Sequence, residues 1–177
     1  MKVFFVHHAL REKGNPPSDK DGLKPLGVND AKVTAELLKD ISAKNKIVAI
    51  YTSPYYRCRK TADIINGALN VPIYEETRFN EFENIFAVLS GKEIESGTES
   101  WVDCQVRVMS AIKDIVNTYE ENDVVVCVTS GANITAFVNL AYGIEPREDS
   151  PLPWIPSCSP IGFNIEKSNF KEFEREL

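Results

Sequence analysis

The sequence predicts an α/β protein built on a mostly parallel β-sheet. Short apolar runs alternate with longer segments in which apolar residues recur at helical spacing, and this alternation is typical of parallel strands joined by helices. The chain has 177 residues, 43% of them hydrophobic, which suits one substantial core and is short for two. We therefore expect residues 1–177 to form a single domain.

The first predicted strand, Val3–Val6, is rich in Val and Phe and ends at the only two histidines of the chain, His7 and His8. Such a continuous apolar run is typical of a strand buried on both faces. Glycine and adjacent prolines make residues 10–24 a loop. Helical spacing of apolar residues then predicts a helix over 27–43.

A second buried strand is predicted over 46–51, and the next helix is expected to start directly after it. Ser53 followed by Pro54 is typical of an N-cap and a first helical position, and the apolar face of this helix continues to Leu69. Residues 71–74 form a short third strand in this interpretation. Residues 77–100 carry little pattern and are predicted to be irregular or weakly helical.

The second half of the chain repeats the alternation. A long helix is predicted from Trp101, followed by a strand over 123–128 and a helix over 131–142 with Gly143 as its C-cap. Residues 145–160 contain five prolines and are predicted to be loop. Alternating apolar residues over 161–165 predict a half-buried closing strand at a sheet edge.

Composition excludes several classes of protein. The net charge is −6, which argues against nucleic acid or an anionic membrane as a partner. No apolar run approaches the roughly 20 residues of a membrane span, and no signal peptide is recognisable. Four separated cysteines without a CxxC pair favour free thiols in a reducing cytoplasm over a zinc site. We expect no metal and no cofactor, and the oligomeric state stays open.

The adjacent histidines mark the candidate site. Ligand sites in α/β sheets form where the carboxyl ends of strands meet the following loops, so His7 and His8 are expected at the rim of a crevice. The alternative is that they are ordinary strand-end residues, one facing the core and the other the solvent.

Four segments together resemble the histidine phosphatase superfamily, the phosphoglycerate mutase-like proteins. The most specific segment, residues 51–62, follows the family's pattern of Ser-Pro, then Arg, then Thr-Ala on a helix. The run GTES at 97–100, with Arg107 after it, resembles the entry into the family's long helix. The resemblance implies a three-layer fold with helices on both faces of the sheet. The four segments are VHHA (6–9), LKPLGVNDA (23–31), YTSPYYRCRKTA (51–62) and VVVCVTSGA (124–132).

The resemblance also implies roles for individual residues. His8 matches the nucleophile, which would take a phosphoryl group onto a ring nitrogen as phosphohistidine. Arg57 matches a phosphate-binding arginine. Glu81 matches the acid that protonates the leaving oxygen and later activates water. The implied activity is hydrolysis of a phosphomonoester, and the implied ligand is a phosphorylated small molecule or phosphate.

The chain departs from the family pattern at three positions and lacks the family's Gly-x-Trp-Glu-Gly segment. His7 stands where the family motif has its first arginine, and Ala9 stands where the motif has a glycine after the nucleophile. Ser130 stands where the family has its second catalytic histidine. In this interpretation His7 and Ser130 remain phosphate-binding residues, with His7 acting as a part-time cation. Losing one preorganised donor typically costs about 10² to 10³ in rate, so activity is expected to be weak or lost.

Two functions therefore stay open, an impaired phosphatase that uses His8 and an inactive family member that binds a phosphorylated ligand or a partner protein. An α/β binding protein of another family requires the four-segment match to be chance. A mutase would need a further basic cluster, which is absent from the sequence. Arg11 and Lys13 offer replacement charge, although a solvated loop is the expectation for both.

Overall fold

A five-stranded sheet organises the chain, and its strand order is β3-β2-β4-β1-β5. The structure is a computed structural model that describes residues 1–12, 20–83, 85–89, 92–93, 97–143 and 155–166. Strands β1 to β4 pair in parallel, whereas β5 lies antiparallel to β1 at the edge. The strands are β1 (Lys2–His7), β2 (Ile47–Thr52), β3 (Ile73–Glu75), β4 (Val124–Thr129) and β5 (Pro160–Asn164).

Helices cover both faces of this sheet because successive strand residues point to opposite sides. Val3 and Phe5 of β1 pack in the core with the two helices that flank β4, whereas Phe4 and Val6 pack with the two that flank β2. The predicted three-layer arrangement is thus confirmed. The helices are α1 (Pro25–Ser42), α2 (Tyr56–Leu69), α3 (Ile85–Leu89), α4 (Trp101–Thr118) and α5 (Gly131–Tyr142), with a 3-10 turn at Thr77–Phe79.

The predicted strands and helices are confirmed with small shifts at their ends, and the start of α2 is a correction. The N-cap residue is Tyr55 rather than Ser53. Ser53 Oγ accepts the Tyr55 backbone N–H at 3.3 Å, because the chain makes a turn after β2 before it reaches helical dihedral angles. Gly143 is confirmed as the C-cap of α5, with φ of 62° in the left-handed region where glycine is favoured.

Several loop predictions fall outside the described residues, namely 13–19 of the first loop and 144–154 of the proline-rich loop. At the start of α4 the Ser100 side chain and Asp103 form a capping box, and Arg107 pairs with Glu99 of the GTES run. None of the helices in the described ranges is long and apolar enough to cross a membrane.

Candidate active site

The carboxyl ends of β1 and β4 place His8 beside Ser130. His7 is in register with Thr129, and the His8 backbone N–H donates to the Thr129 carbonyl oxygen at 2.9 Å. Strand β2, on the other side of β4, leads into the turn before Arg57. Three neighbouring strands thus deliver polar side chains to one edge of the sheet.

The His8 imidazole is buried, with 6% of the residue exposed, and its two ring nitrogens have different partners. Nδ1 lies 2.9 Å from the Ala9 carbonyl oxygen, which can only accept, so Nδ1 carries the proton. Nε2 therefore presents a lone pair, and Arg57 Nε donates to it at 3.2 Å. Burial, followed by the neighbouring His7, lowers the pKa of His8 to about 3. At neutral pH the Nε2 atom of His8 is therefore unprotonated.

This buried neutral ring predicts a pH dependence of stability. Below pH 6.5 the unfolded chain binds a proton at His8, whereas the folded chain, with a pKa of about 3, does not. Above pH 6.5 the neutral His8 ring therefore costs the folded chain no stability. Below pH 6.5 the free energy of unfolding falls by up to about 1.4 kcal/mol for each pH unit. Denaturant unfolding at pH 7 and pH 5 should show the wild type losing about 2 kcal/mol more than His8→Asn. Equal losses would contradict a buried, neutral His8.

Arg57 lies in the first turn of α2 and is 2% exposed. Its guanidinium lies over the Tyr55 ring, 4.6 Å from the centroid, and its other end forms an ion pair with Glu81. A buried guanidinium requires such compensation. An anion entering the site therefore competes with the Glu81 carboxylate for Arg57, or shares it.

Thr61 links the segment after His8 to the helix that carries Arg57. The Thr61 hydroxyl accepts the Ala9 backbone N–H at 2.9 Å and donates to the Arg57 carbonyl oxygen at 2.7 Å. Both Thr61 and Ala9 are fully buried. These bonds fix the spacing between His8 and Arg57.

The His7 ring lies edge-on to His8, with centroids 4.6 Å apart. Its Nδ1–H donates to the Ile155 carbonyl oxygen at 2.8 Å. The ring also fills the space beside Gly131, where a Cβ atom would lie 3.2 Å from its Cε1 atom. Burial lowers the pKa of His7 below its usual range. The expected part-time cation is thus a neutral ring at pH 7 and gains charge only in acid, because charging it costs desolvation energy.

Ser130 is the N-cap of α5 and is 1% exposed. Its Oγ accepts the Asn133 backbone N–H at 3.4 Å, so the hydroxyl proton remains available as a neutral donor. At the position where the resemblance implies a second histidine, the side chain caps the helix. Ser130 provides at most one uncharged hydrogen bond to an anion.

Of the two loop cations suggested as replacement charge, Lys13 lies outside the described residues. Arg11 contradicts the expectation of a solvated loop, because its side chain is 23% exposed and pairs with the buried Asp21 at 3.0 Å. Its charge helps to lower the pKa of His8. Arg11 therefore adds positive potential to the site through a position fixed by Asp21.

The described residues contain neither a reactive thiol nor a cluster of metal-binding side chains. All four cysteines are buried and without disulfides, and burial raises the pKa of each thiol, so none is a thiolate nucleophile. Within the same ranges no group of three or more His, Cys, Asp or Glu side chains is arranged to hold a metal ion. The distinctive group is the cluster of His8, Arg57 and Glu81, with His7 and Ser130 beside it.

A neutral imidazole beside a buried arginine, at the carboxyl edge of a mostly parallel sheet, is the distinctive feature of this α/β protein. The chain belongs to the histidine phosphatase superfamily (branch 1), whose family model matches residues 10–85 and 84–172. The predicted family is thereby confirmed. The match begins directly after the segment from His7 to Ala9, in which two of the three departures lie.

Similar proteins are known from both sequence and structure. The chain is 29% identical over 161 residues to the uncharacterized phosphatase PhoE of Bacillus subtilis (strain 168), covering 85% of this chain and 80% of that protein. Bacillus stearothermophilus YhfR has a TM-score of 0.78 at 20% identity, covering 93% and 91% of the two chains. Phosphoserine phosphatase from Entamoeba histolytica, solved with 3-phosphoglyceric acid, has a TM-score of 0.70 at 20% identity, covering 92% and 89%. These structures confirm the predicted fold class.

Proposed function

We propose that this chain is an impaired phosphomonoester phosphatase that works through a phosphohistidine at His8. The observation that carries the proposal is the Nε2 atom of His8, unprotonated and 3.2 Å from the buried guanidinium of Arg57. A nucleophile beside a cation suits attack on a phosphoryl group, because positioning and charge stabilisation supply most of the catalysis of this reaction. The family and the phosphatase name of its Bacillus subtilis relative support the same reaction.

The proposed reaction has two steps. In the first, the Arg57 Nε–H leaves His8 Nε2 and donates to a phosphoryl oxygen, and the freed Nε2 lone pair attacks phosphorus. The ester P–O bond breaks as Glu81 in its protonated form gives its proton to the leaving alcohol oxygen. In the second, water attacks the phosphohistidine while Glu81 accepts its proton, and the P–N bond breaks to release phosphate. Arg57 holds the phosphoryl oxygens, and Ser130 contributes one uncharged hydrogen bond. His7 uses its Nδ1–H on the Ile155 carbonyl oxygen, so it donates to phosphate only when acid protonates its Nε2.

The second candidate is an inactive member that binds a phosphorylated ligand or a partner protein. It is favoured by the neutral state of His7 and by the ion pair that already occupies Arg57. His7 and Ser130 are then weak donors at two positions where the family pattern has an arginine and a histidine. Losing donors of this kind lowers the catalytic rate more than it lowers the affinity for the ground-state ligand. The phosphatase and the ligand-binding form of the second candidate both place a phosphorylated small molecule or phosphate at Arg57. The four unpaired cysteines support a reducing compartment such as the cytoplasm.

Replacing Arg57 tests the feature that both candidates share. Arg57→Gln should weaken binding of inorganic phosphate by about 10- to 100-fold, the value of a charge-assisted hydrogen bond, and should lower hydrolysis of para-nitrophenyl phosphate at least as much. Titration calorimetry and steady-state kinetics measure the two effects. Arg59→Gln is the matched control, since Arg59 lies on the same helix, is exposed and pairs with Glu75.

The two candidates separate on turnover. Measurable hydrolysis that Arg57→Gln reduces supports the phosphatase, whereas phosphate binding without hydrolysis supports the binding protein. Phosphate affinity that is unchanged in Arg57→Gln would place the anion site elsewhere and contradict both.

A further inference from the structure

The loop that carries Glu81 is bonded to Asn133, a residue from a different part of the chain. Asn133 lies in the first turn of α5 and is fully buried. Its Nδ2 lies 2.8 Å from the Phe79 carbonyl oxygen and 2.9 Å from the Asn80 carbonyl oxygen. A single amide thus contacts the two residues immediately before Glu81.

The surrounding bonds fix which way round this amide lies. Nδ2 also lies 2.9 Å from Thr129 Oγ1, whose own hydroxyl donates to the Phe79 carbonyl oxygen at 2.9 Å. On the other side, the Cys104 thiol donates to Asn133 Oδ1 at 3.6 Å. Because carbonyl oxygens only accept, the amide nitrogen must face the loop.

We propose that Asn133 is a positioning residue that holds the Glu81 loop so that its carboxylate stays in reach of Arg57 and His8. This inference rests on the proposed function. Among the described residues, the Glu81 side chain contacts Arg57 through their ion pair, and the residue is partly exposed, so its own side chain fixes it little. The rigid part of the arrangement lies one and two residues earlier, in the buried bonds from Asn133 and Thr129.

A further contact supports the same role. Ser53 Oγ donates to Asn80 Oδ1 at 3.4 Å, so the turn after β2, which leads to Arg57, also contacts the loop. Strand β4 and helix α5 hold the loop from one side, and the turn before α2 holds it from the other. Glu81 and Arg57 are therefore placed relative to each other by these hydrogen bonds as well as by their ion pair.

The first arm of the test measures the loop without reference to activity. Asn133→Leu removes the amide donors and keeps the approximate size. Thr129→Val removes the two bonds of the Thr129 hydroxyl, which connect it to the Phe79 carbonyl oxygen and to Asn133 Nδ2. Hydrogen–deuterium exchange of the peptide covering residues 77–83 should rise in both variants. Asn139→Leu is the matched control, because Asn139 is another buried asparagine of α5 whose Nδ2 has no hydrogen-bond partner among the described residues.

The second arm separates positioning from a general loss of stability. A group that protonates the leaving oxygen matters more for a poor leaving group, so Glu81→Gln should slow hydrolysis of glycerol 2-phosphate more than hydrolysis of para-nitrophenyl phosphate. Asn133→Leu should show the same preference, with kcat for the alkyl ester reduced by about tenfold or more. The double variant Asn133→Leu/Glu81→Gln should be no slower than Glu81→Gln alone, because both changes remove the same contribution, proton transfer by Glu81.

Three results would overturn the inference: exchange over 77–83 that rises no more than in Asn139→Leu, equal losses on both esters, or losses that multiply in the double variant. If the variants are too unstable for kinetics, the milder Thr129→Val provides the same comparisons. A wild type that binds no phosphate and hydrolyses neither ester would instead contradict the proposed function, and the exchange measurement would still decide whether Asn133 holds the loop.

Discussion

The double variant His7→Arg/Ser130→His should raise kcat/KM for para-nitrophenyl phosphate by about 10⁴-fold, since each preorganised donor is worth about 10² to 10³. The first change restores a permanent charge and a two-pronged donor. The second restores an imidazole at the start of α5, where Ser130 now caps the helix. Because both groups act on the same transition state, the double variant should exceed either single change, and kcat should rise as well as kcat/KM.

The packing around His7 makes the single changes informative. The His7 ring fills the space beside Gly131 and binds the Ile155 carbonyl oxygen, so His7→Arg must also accommodate a longer side chain there. Ser130→His alone adds a second ring next to the imidazole of His7. A double variant that is folded and binds phosphate but shows no gain would place the defect beyond these two positions, with Ala9 the next candidate. That result would favour the binding protein over the impaired phosphatase.

His8→Asn should abolish hydrolysis, with a loss of about 10⁴-fold or more in the background of the double variant, where activity is easiest to measure. Asparagine has no ring nitrogen that can accept a phosphoryl group. The rate should fall while phosphate still binds, because Arg57 keeps its buried position over the Tyr55 ring and its guanidinium can still donate to an anion. Calorimetry with phosphate and thermal unfolding are the controls. Hydrolysis that survives in folded His8→Asn would assign the nucleophile to another residue.

The strands and helices could be predicted from the sequence because they depend on local patterns. Apolar periodicity located α1, α4 and β4, and Gly143 marked the end of α5 because its left-handed conformation favours glycine. The predicted start of α2 was wrong, because the Ser-Pro pair forms the turn before the helix rather than its cap. A dipeptide preference cannot distinguish these two arrangements.

The end of the first predicted strand marked His8 as a candidate, whereas Arg57 and Glu81 were selected through the family resemblance. The contacts around these residues could not be predicted. Asn133 reaches residues more than fifty positions away in sequence, the Phe79 carbonyl being 54 residues distant, and no local pattern encodes such a contact. The low pKa of His7 is likewise a consequence of burial that the sequence does not reveal. The charge expected at this position is therefore mostly absent at neutral pH.

Trapping the phosphoenzyme tests the central claim most directly. Wild type and the double variant should be mixed with para-nitrophenyl phosphate, quenched in alkali, and analysed by peptide mass spectrometry, because phosphohistidine is stable in alkali and lost in acid. We predict a phosphoryl group on His8, more abundant in the double variant and missing from His8→Asn. Hydrolysis without any label at His8, or with the label on another residue, would contradict the proposal that His8 is the nucleophile.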